Sequence, residues 1–266
     1  MKTIFAFAVA GCIGMAAAKP LIILNEDCNH FISQYSRSAK GKSGAPMQPA
    51  DIVGYVDQWL HPAVTHYFVN PNGQAACYDS KVLETCWQTH RKIGCACTSV
   101  CVRTLEDLAK RGIDPYAVMM GRAREKGVSP WISMRMNDVH YITETNTCSS
   151  TTFWREHPEF RRKPELEVKV GHGWSHYCFD YSHKEVRDLY LACAGEMLSR
   201  YDADGIELDW MRWPTHLAPG KEIERAPCLT EFMRGARAHA DAAAKRLGHP
   251  VKVAARVQTH PDEAIR

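Results

Sequence analysis

Two carboxylates lie two residues apart within an apolar segment. Glu207 and Asp209 alternate with Ile206 and Leu208. If residues 204–209 form a strand, both carboxylates share one face and both aliphatic side chains share the other. In a β/α barrel the aliphatic pair must face the helices, so the carboxylates face the interior. We predict Asp209, nearer the carboxyl end of the strand, as a catalytic residue, with Glu207 as a second candidate.

Aromatic and basic residues follow Asp209 directly. Trp210, Arg212 and Trp213 come within four positions of it. A carboxylate beside flat rings suits a sugar site, because the anion stabilises an oxocarbenium-like transition state and the rings stack on the sugar. We therefore predict that these three residues contact a carbohydrate substrate.

Glu207 also has a structural interpretation. The same alternation turns Arg135 and Arg256 inward, so either arginine is available for a buried ion pair with Glu207. For Glu207 we favour the ion pair, whereas for Asp209 we favour a catalytic role.

Polar residues also cluster at the ends of two other predicted strands. Ser133, Arg135 and Asn137 share one face of the strand over 129–137, and more polar residues follow that strand and the first one. For Asp138, a role in capping the loop after the strand is an equally good interpretation. The further predicted substrate contacts are Asn25, Asp27, Arg135, Asn137, Asp138 and His140.

Strand and helix patterns alternate along the chain without hairpin signals. This order predicts parallel strands joined by crossover helices, hence an α/β fold of the (β/α)8 TIM barrel type with about five β/α units, while an open doubly wound sheet is the alternative. A barrel needs eight units, so we expect the domain over 19–266 to be incomplete at its carboxyl end. The predicted strands cover 21–24, 64–69, 129–137, 204–209 and 251–257, and the predicted helices cover 49–60, 104–111, 115–126, 183–201 and 230–247.

The amino terminus is typical of an exported protein. Lys2 precedes an apolar stretch over 4–9, and three alanines at 16–18 form a small-residue cleavage site, so we predict a signal peptide over 1–18. Alternatively, the residues before Cys12 resemble a lipobox, which would make Cys12 a lipid anchor. We expect a secreted or periplasmic protein, or a lipoprotein.

Composition excludes several classes of function. The net charge of +3 arises from 33 basic and 30 acidic residues spread along the chain, without a basic block that would track phosphates, so no nucleic acid partner is expected. No apolar run is long enough for a transmembrane helix. We predict no cofactor.

Cysteine is frequent, with 11 in all. Cys86, Cys95, Cys97 and Cys101 form a cluster whose spacing lacks the C-x2-C pairs of common thiolate sites. We favour disulfides in a loop over a zinc or iron–sulfur site or free thiols, and we predict no metal.

Two runs carry a family resemblance. WISMRMNDVH at 131–140 and YDADGIELDWMRWP at 201–214, with FDYS at 179–182 between them, resemble the third- and fourth-strand motifs of the glycosyl hydrolase-like 10 family. The resemblance implies a (β/α)8 barrel in a bacterial exported protein that acts on or binds carbohydrate. More distantly, the fourth-strand motif is similar to the alpha-amylase and alpha-galactosidase groups, which implies that Asp209 is the nucleophile.

A glycosidase mechanism also needs a second carboxyl group. That group lies about 5–9.5 Å from the first, and two carboxylates on one strand are poorly placed to flank a scissile bond. Asp262 and Glu263 are candidates for the partner. We therefore predict a glycoside hydrolase, with a non-catalytic carbohydrate-binding barrel as the alternative.

Overall fold

A computed structural model describes residues 20–93, 100–142, 150–169 and 173–258. Five strands form one sheet in the order β1-β2-β3-β4-β5, and all neighbours are parallel. Helices lie in each of the four connections, as parallel pairing requires. The strands are Ile23–Glu26 (β1), His66–Val69 (β2), Ser129–Arg135 (β3), Gly205–Asp209 (β4) and Lys252–Arg256 (β5). The predicted alternation of five strands with helices is confirmed.

The helices include several that the sequence did not predict. Five of them were not predicted, because each has eight residues or fewer and so short a segment shows little periodicity. The α-helices are His30–Arg37 (α1), Ala39–Lys42 (α2), Pro49–Trp59 (α3), Cys86–Ile93 (α4), Val100–Lys110 (α5), Pro115–Glu125 (α6), Thr152–Glu156 (α7), Lys184–Arg200 (α8), Glu222–Arg225 (α9) and Pro227–Leu247 (α10).

Local contacts cap two of the helix ends, but a side-chain cap is missing at the start of α8. The Asp114 side chain accepts hydrogen bonds from the first backbone amides of α6, and Gly248 ends α10 with a φ of 77°. By contrast, the residue before α8 is His183, and its side chain makes no capping bond. The hydroxyl of the preceding residue, Ser182, accepts a hydrogen bond from Arg225 Nη1 at 2.9 Å.

The alternation in β4 places its residues as expected. Ile206 and Leu208 are fully buried in the hydrophobic core. The same outer face carries Tyr67 of β2, whose hydroxyl reaches Met119 of α6. Glu207 and Asp209 occupy the opposite, inner face, in register with Ser133 and Arg135 of β3.

The sheet is strongly curved toward its inner face. Three strand spacings would separate β1 from β4 by about 14 Å in a flat sheet. Nevertheless, Asn25 Nδ2 of β1 donates to Glu207 Oε1 of β4 at 3.2 Å. The architecture is thus a curved five-stranded parallel sheet flanked by helices, with β1 and β5 at its edges.

Some predictions lie outside the described residues. These are the signal peptide over 1–18, the lipid anchor at Cys12, and the carboxyl candidates Asp262 and Glu263. Within the described ranges, no helix has the length and apolarity needed to cross a membrane.

Candidate functional site

Arg135 connects the carboxyl ends of β1 and β3. Its Nη1 donates to Asp138 Oδ2 at 2.8 Å, and its Nη2 donates to Asp27 Oδ1. Arg135 and Asp138 are both largely buried, whereas Asp27 is partly exposed. A guanidinium held between two carboxylates is fixed in orientation, because each bond removes rotational freedom from the long side chain.

The same cluster extends to the end of β4. His140 Nδ1 lies 2.7 Å from Asp138 Oδ1, and Arg212 Nη2 lies 2.9 Å from His140 Nδ1. Arg212 follows β4, so the cluster joins the ends of three strands. The cluster therefore brings together five of the predicted substrate contacts, namely Asp27, Arg135, Asp138, His140 and Arg212.

Both aspartates of this cluster are ionised at neutral pH. Burial alone would raise the pKa of Asp138, but hydrogen bonds from His140 and the charge of Arg135 hold it far below 3.8. Burial likewise opposes ionisation of Asp27, and the charge of Arg135 lowers its pKa overall. Neither aspartate is therefore a proton donor at neutral pH.

Asn72 fixes the backbone at the end of β3 and was not predicted. Its Nδ2 donates to the Arg135 carbonyl at 3.0 Å, and its Oδ1 accepts from the Arg135 amide at 3.1 Å. Asn70 similarly donates to the Ser133 carbonyl at 2.7 Å. Both asparagines stand in the Asn-Pro-Asn-Gly turn after β2, which was the available sequence signal.

A cavity of about 330 Å³ opens beside the cluster. Such a volume suits a small ligand or one sugar unit. The lining combines polar and charged side chains with sulfur and aliphatic groups. Its lining includes Asp27, Gln74, Arg135, Asp138, His140, Tyr141 and Arg212, together with Cys28, Cys77, Cys86 and Leu105.

Aromatic rings form a rim beside the cavity. The Trp213 ring lies 5.5 Å from His140 and 5.2 Å from Trp174, with both pairs edge to face. Tyr141 lies 5.2 Å from Trp174 and is about half exposed. Its φ of 54° falls in the left-handed region, which non-glycine residues adopt rarely and often at ligand sites. The sequence predicted Trp213 here but missed Trp174 and Tyr141, which belong to loops without periodicity.

Two buried donors at this rim have no hydrogen-bond partner among the described residues. These are the indole N–H of Trp213 and the Nε–H of Arg212. A buried donor without a hydrogen-bond partner costs folding free energy, about 1–3 kcal/mol.

Glu207 and Asp209 lie deeper, on the inner face of β4. The Ser133 hydroxyl donates to Glu207 Oε1 at 2.7 Å, and Asp209 Oδ2 lies 3.6 Å from Arg256 Nη1. Burial, and also the charge of Asp209, raise the pKa of Glu207 against the opposing hydrogen bond from Ser133. The predicted ion pair of Glu207 with Arg135 or Arg256 is wrong, because Ser133 and Asn25 are its hydrogen-bond partners instead.

Asn137 and Trp210 are placed away from the cavity. Asn137 donates to the Phe179 carbonyl and accepts from the Phe179 amide, so it ties β3 to a loop. Trp210 packs between Tyr181, His216 and Phe232 at ring distances of 4.8 to 5.6 Å. The structure does not bring either residue to the predicted substrate contacts.

The four-cysteine cluster is described only in part. Cys95 and Cys97 lie outside the described residues. Cys86 is a free thiol, and it lines the cavity together with Cys101. Among the described side chains, no three His, Cys, Asp or Glu residues are arranged to hold a metal ion.

Comparisons with known proteins do not assign the chain to a family. No protein-family model matches the chain, and no curated protein sequence matches it. An alpha-L-fucosidase from Paenibacillus thiaminolyticus is 14% identical with a TM-score of 0.47, covering 87% of this chain and 32% of that one. A maltogenic alpha-amylase from Thermotoga neapolitana is 14% identical with a TM-score of 0.44, covering 84% and 43%. A GH36 alpha-galactosidase from Geobacillus stearothermophilus is 12% identical with a TM-score of 0.42, covering 89% and 28%. The chain thus spans less than half the length of each.

Proposed function

We propose that this chain is the main part of a glycoside hydrolase-type (β/α)8 barrel that binds carbohydrate at the carboxyl ends of β1, β3 and β4. The observation that carries the proposal is the convergence of the Arg135 ion-pair cluster with the aromatic rim of Tyr141, Trp174 and Trp213. Barrel enzymes hold their substrates at this end of the sheet. Export from the cell belongs to the same proposal, on the basis of the amino-terminal sequence.

The cavity has the two kinds of group that a sugar requires. Trp213 and Tyr141 offer ring faces and edges to the apolar C–H groups of a pyranose. Arg212 lines the cavity, and its guanidinium carries N–H donors for sugar oxygens. Asp27 is ionised and partly exposed, so it accepts hydrogen bonds from sugar hydroxyls.

For hydrolysis we assign Asp209 as the nucleophile or charge stabiliser. Its place on the inner face of β4 supports this role. Among the described inward-facing carboxyl groups, Glu207 has a raised pKa and is therefore suited to hold a proton. Glu207 is the described candidate for the general acid, although the two groups share a strand.

A carbohydrate-binding barrel without catalysis is the second candidate. Asp27 and Asp138, the carboxylates that line the cavity, both have lowered pKa values and are paired with Arg135. A site whose carboxylates stay ionised binds hydroxyls well but does not donate a proton to a leaving group.

Calorimetric titration with a panel of neutral oligosaccharides tests the binding site. We expect Trp213→Ala to raise Kd at least about tenfold, because a stacked ring contributes about 1.4 kcal/mol. Trp59→Ala is the matched control, since Trp59 is an exposed tryptophan of α3 away from the cavity. Equal losses in both variants, or no binding by the unmodified protein, would contradict the proposed site.

Turnover of aryl glycosides separates the two candidates. We expect Asp209→Asn to lower kcat at least about 100-fold with little change in KM, since it removes charge stabilisation of the transition state. Asp241→Asn, on the exposed face of α10, should leave kcat unchanged. Binding without turnover by the unmodified protein would instead establish the non-catalytic barrel.

A further inference from the structure

Asp209 faces a cation on the neighbouring edge strand. Arg256 ends β5, and the strand register places it directly opposite Asp209. Its Nη1 lies 3.6 Å from Asp209 Oδ2, which is within ion-pair range but too long for a direct hydrogen bond. The Asp209 side chain is only 7% exposed, whereas that of Arg256 is 49% exposed. A buried carboxylate is thus paired with an arginine that remains in contact with solvent.

The arginine on the other side of Asp209 is engaged elsewhere. Arg135 lies opposite Asp209 in the register of β3 with β4. However, its guanidinium donates hydrogen bonds to Asp27 and to Asp138. Among the described residues, Arg256 is therefore the ion-pair partner of Asp209.

Backbone contacts fix both members of this pair. The Met211 amide donates to Asp209 Oδ1 at 3.0 Å, while Oδ2 is the oxygen nearer Arg256. The Trp210 amide donates to the Arg256 carbonyl at 3.0 Å, and the Met136 amide donates to the Asp209 carbonyl at 3.2 Å. One carboxylate oxygen of Asp209 is thus held by an amide and the other by a charge, which restricts the side chain to one orientation.

Glu207, on the same face of β4, has different neighbours. Ser133 of β3 and Asn25 of β1 both donate hydrogen bonds to its Oε1. Burial is the main cause of the raised pKa of Glu207, and the charge of Asp209 raises this pKa further. The hydrogen bond from Ser133 and the charge of Arg256 lower it. Arg256 therefore acts on both carboxyl groups of β4, although it pairs with Asp209.

The charges of these three side chains balance when they share one proton. If Glu207 and Asp209 are both ionised beside the charged Arg256, one negative charge is in excess. Burial disfavours an unpaired charge, so a single proton on one of the two carboxyl groups is favoured. Because the ion pair engages Asp209, the proton belongs on Glu207.

We propose that Arg256 is the positioning residue of this carboxyl pair: it holds Asp209 as an oriented carboxylate and so leaves the proton on Glu207. The inference rests on the proposed function, in which Asp209 stabilises charge and Glu207 supplies the proton. Arg256 acts through Asp209 and not by contact with the substrate.

A carboxyl titration by NMR tests the proposal without requiring turnover. The full chain is labelled with ¹³C at the glutamate side-chain carboxyl, and the Glu207 signal is identified by its loss in Glu207→Gln. We expect Arg256→Gln to raise the pKa of Glu207 by at least about half a pH unit, because it removes a nearby positive charge. Arg256→Lys keeps that charge and should restore most of the original titration.

Lys252→Gln is the matched control. Lys252 lies on the same face of the same strand, but at its opposite end, across from Gly205. Its substitution removes one positive charge from β5 without touching the ion pair, so the pKa of Glu207 should not change. Arg256 is half exposed on an edge strand, so its variants should fold, and circular dichroism verifies this.

Turnover of aryl glycosides gives a second readout. We expect Arg256→Gln to lower kcat about 10- to 100-fold with little change in KM, and Arg256→Lys to recover most of it. The basic limb of the pH profile of kcat should also move to higher pH in Arg256→Gln, since that limb reports loss of the Glu207 proton. A lowered kcat with an unmoved limb would show a purely structural role and overturn the proposal.

The outcomes separate this inference from the proposed function. An identical Glu207 titration in Arg256→Gln and the unmodified protein would overturn the inference, as would an equal shift in Lys252→Gln. If the Glu207 shift is found but the unmodified protein hydrolyses no glycoside, the proposed hydrolysis fails, while Arg256 remains the group that places the proton on Glu207.

Discussion

Arg135 illustrates how one buried side chain organises the site. It bridges Asp27 and Asp138, and its backbone is held by Asn72. Breaking such a buried pair leaves an unpaired charge in a poorly solvated place, which typically costs about 3–5 kcal/mol. The cluster therefore positions the cavity wall as well as carrying charge, and Arg135 has a structural role in addition to its predicted contact with substrate.

His216 is a second buried residue, and its protonation state has a measurable effect on stability. It is buried, its Nε2 lies 2.8 Å from the Trp210 carbonyl oxygen, and its Nδ1 lies 3.3 Å from Asn137 Nδ2. Burial, which disfavours the charged imidazolium, lowers its pKa from 6.5 to about 4. The histidine is therefore neutral in the folded protein at neutral pH.

This pKa predicts acid sensitivity of the fold. The unfolded chain binds the proton below pH 6.5, whereas the folded chain binds it only near pH 4, so stability is fully present above pH 6.5 and falls between these values. We expect a loss of about 3 kcal/mol in the free energy of unfolding across this window, measured by urea titration.

His216→Gln should flatten the dependence of the unfolding free energy on pH. His249→Gln is the control, because the surface His249 has a raised pKa, from its hydrogen bond with Asp202, and contributes with the opposite sign. A profile that His216→Gln leaves unchanged would show that His216 does not titrate this way.

At the scale of elements, β3 and β4 pack closely because Gly205 of β4 has no side chain. The Trp131 ring lies over Gly205, and a Cβ atom at 205 would stand 2.5 Å from Trp131 Cζ3. On its other face the Trp131 ring stacks on Phe68 of β2 at 4.9 Å. The indole thus fills the inner face at the amino end of the sheet, below the polar layer of Ser133 and Glu207.

The packing of Trp131 predicts a steric effect of substitution. Gly205→Ala should destabilise the protein by about 1–3 kcal/mol, because the ring is held by Phe68 and has little room to move. Gly121→Ala is the control, since Gly121 lies in α6 with open space around its Cα. Gly121→Ala should stabilise the folded protein by up to about 1 kcal/mol, because alanine has a higher helix propensity than glycine. Thermal unfolding of both variants measures these effects. If Gly205→Ala were as stable as the unmodified protein, the close packing of Trp131 on Gly205 would be contradicted.

At the scale of the whole molecule, the curved sheet has two edge strands. β1 and β5 each pair on one side only within the described residues. Ile23 of β1 is 47% exposed, and the neighbouring Leu21 and Ile22 are also exposed. Unpaired backbone groups next to exposed aliphatic side chains favour pairing with another strand.

These edges predict self-association. We expect the apparent molecular mass of the protein to rise with concentration in analytical ultracentrifugation, and Ile23→Lys to reduce the effect, because charge on an edge strand opposes pairing. Ile223→Lys is the matched control, since Ile223 is 82% exposed but belongs to helix α9 and to no strand. A monomer at all concentrations would show that the edges are protected.

Local periodicity explains what could be predicted from the sequence. The alternation of Glu207 and Asp209 with Ile206 and Leu208 defines the two faces of β4 whatever surrounds the strand. The capping side chain of Asp114 and the glycine at 248 define helix ends through contacts within a few residues. For the same reason, the five strands lie within two residues of their predicted positions.

The assembly of the site depended instead on contacts between distant segments. Asn137 and Trp210 have the residue types of substrate contacts, but loops and α10 engage their side chains in the folded chain. Conversely, Trp174 meets His140 and Trp213 only because a loop after β3 folds back beside them in the folded chain. Such contacts depend on strand register and sheet curvature, which involve residues far apart in the chain and leave no periodic signal in the sequence.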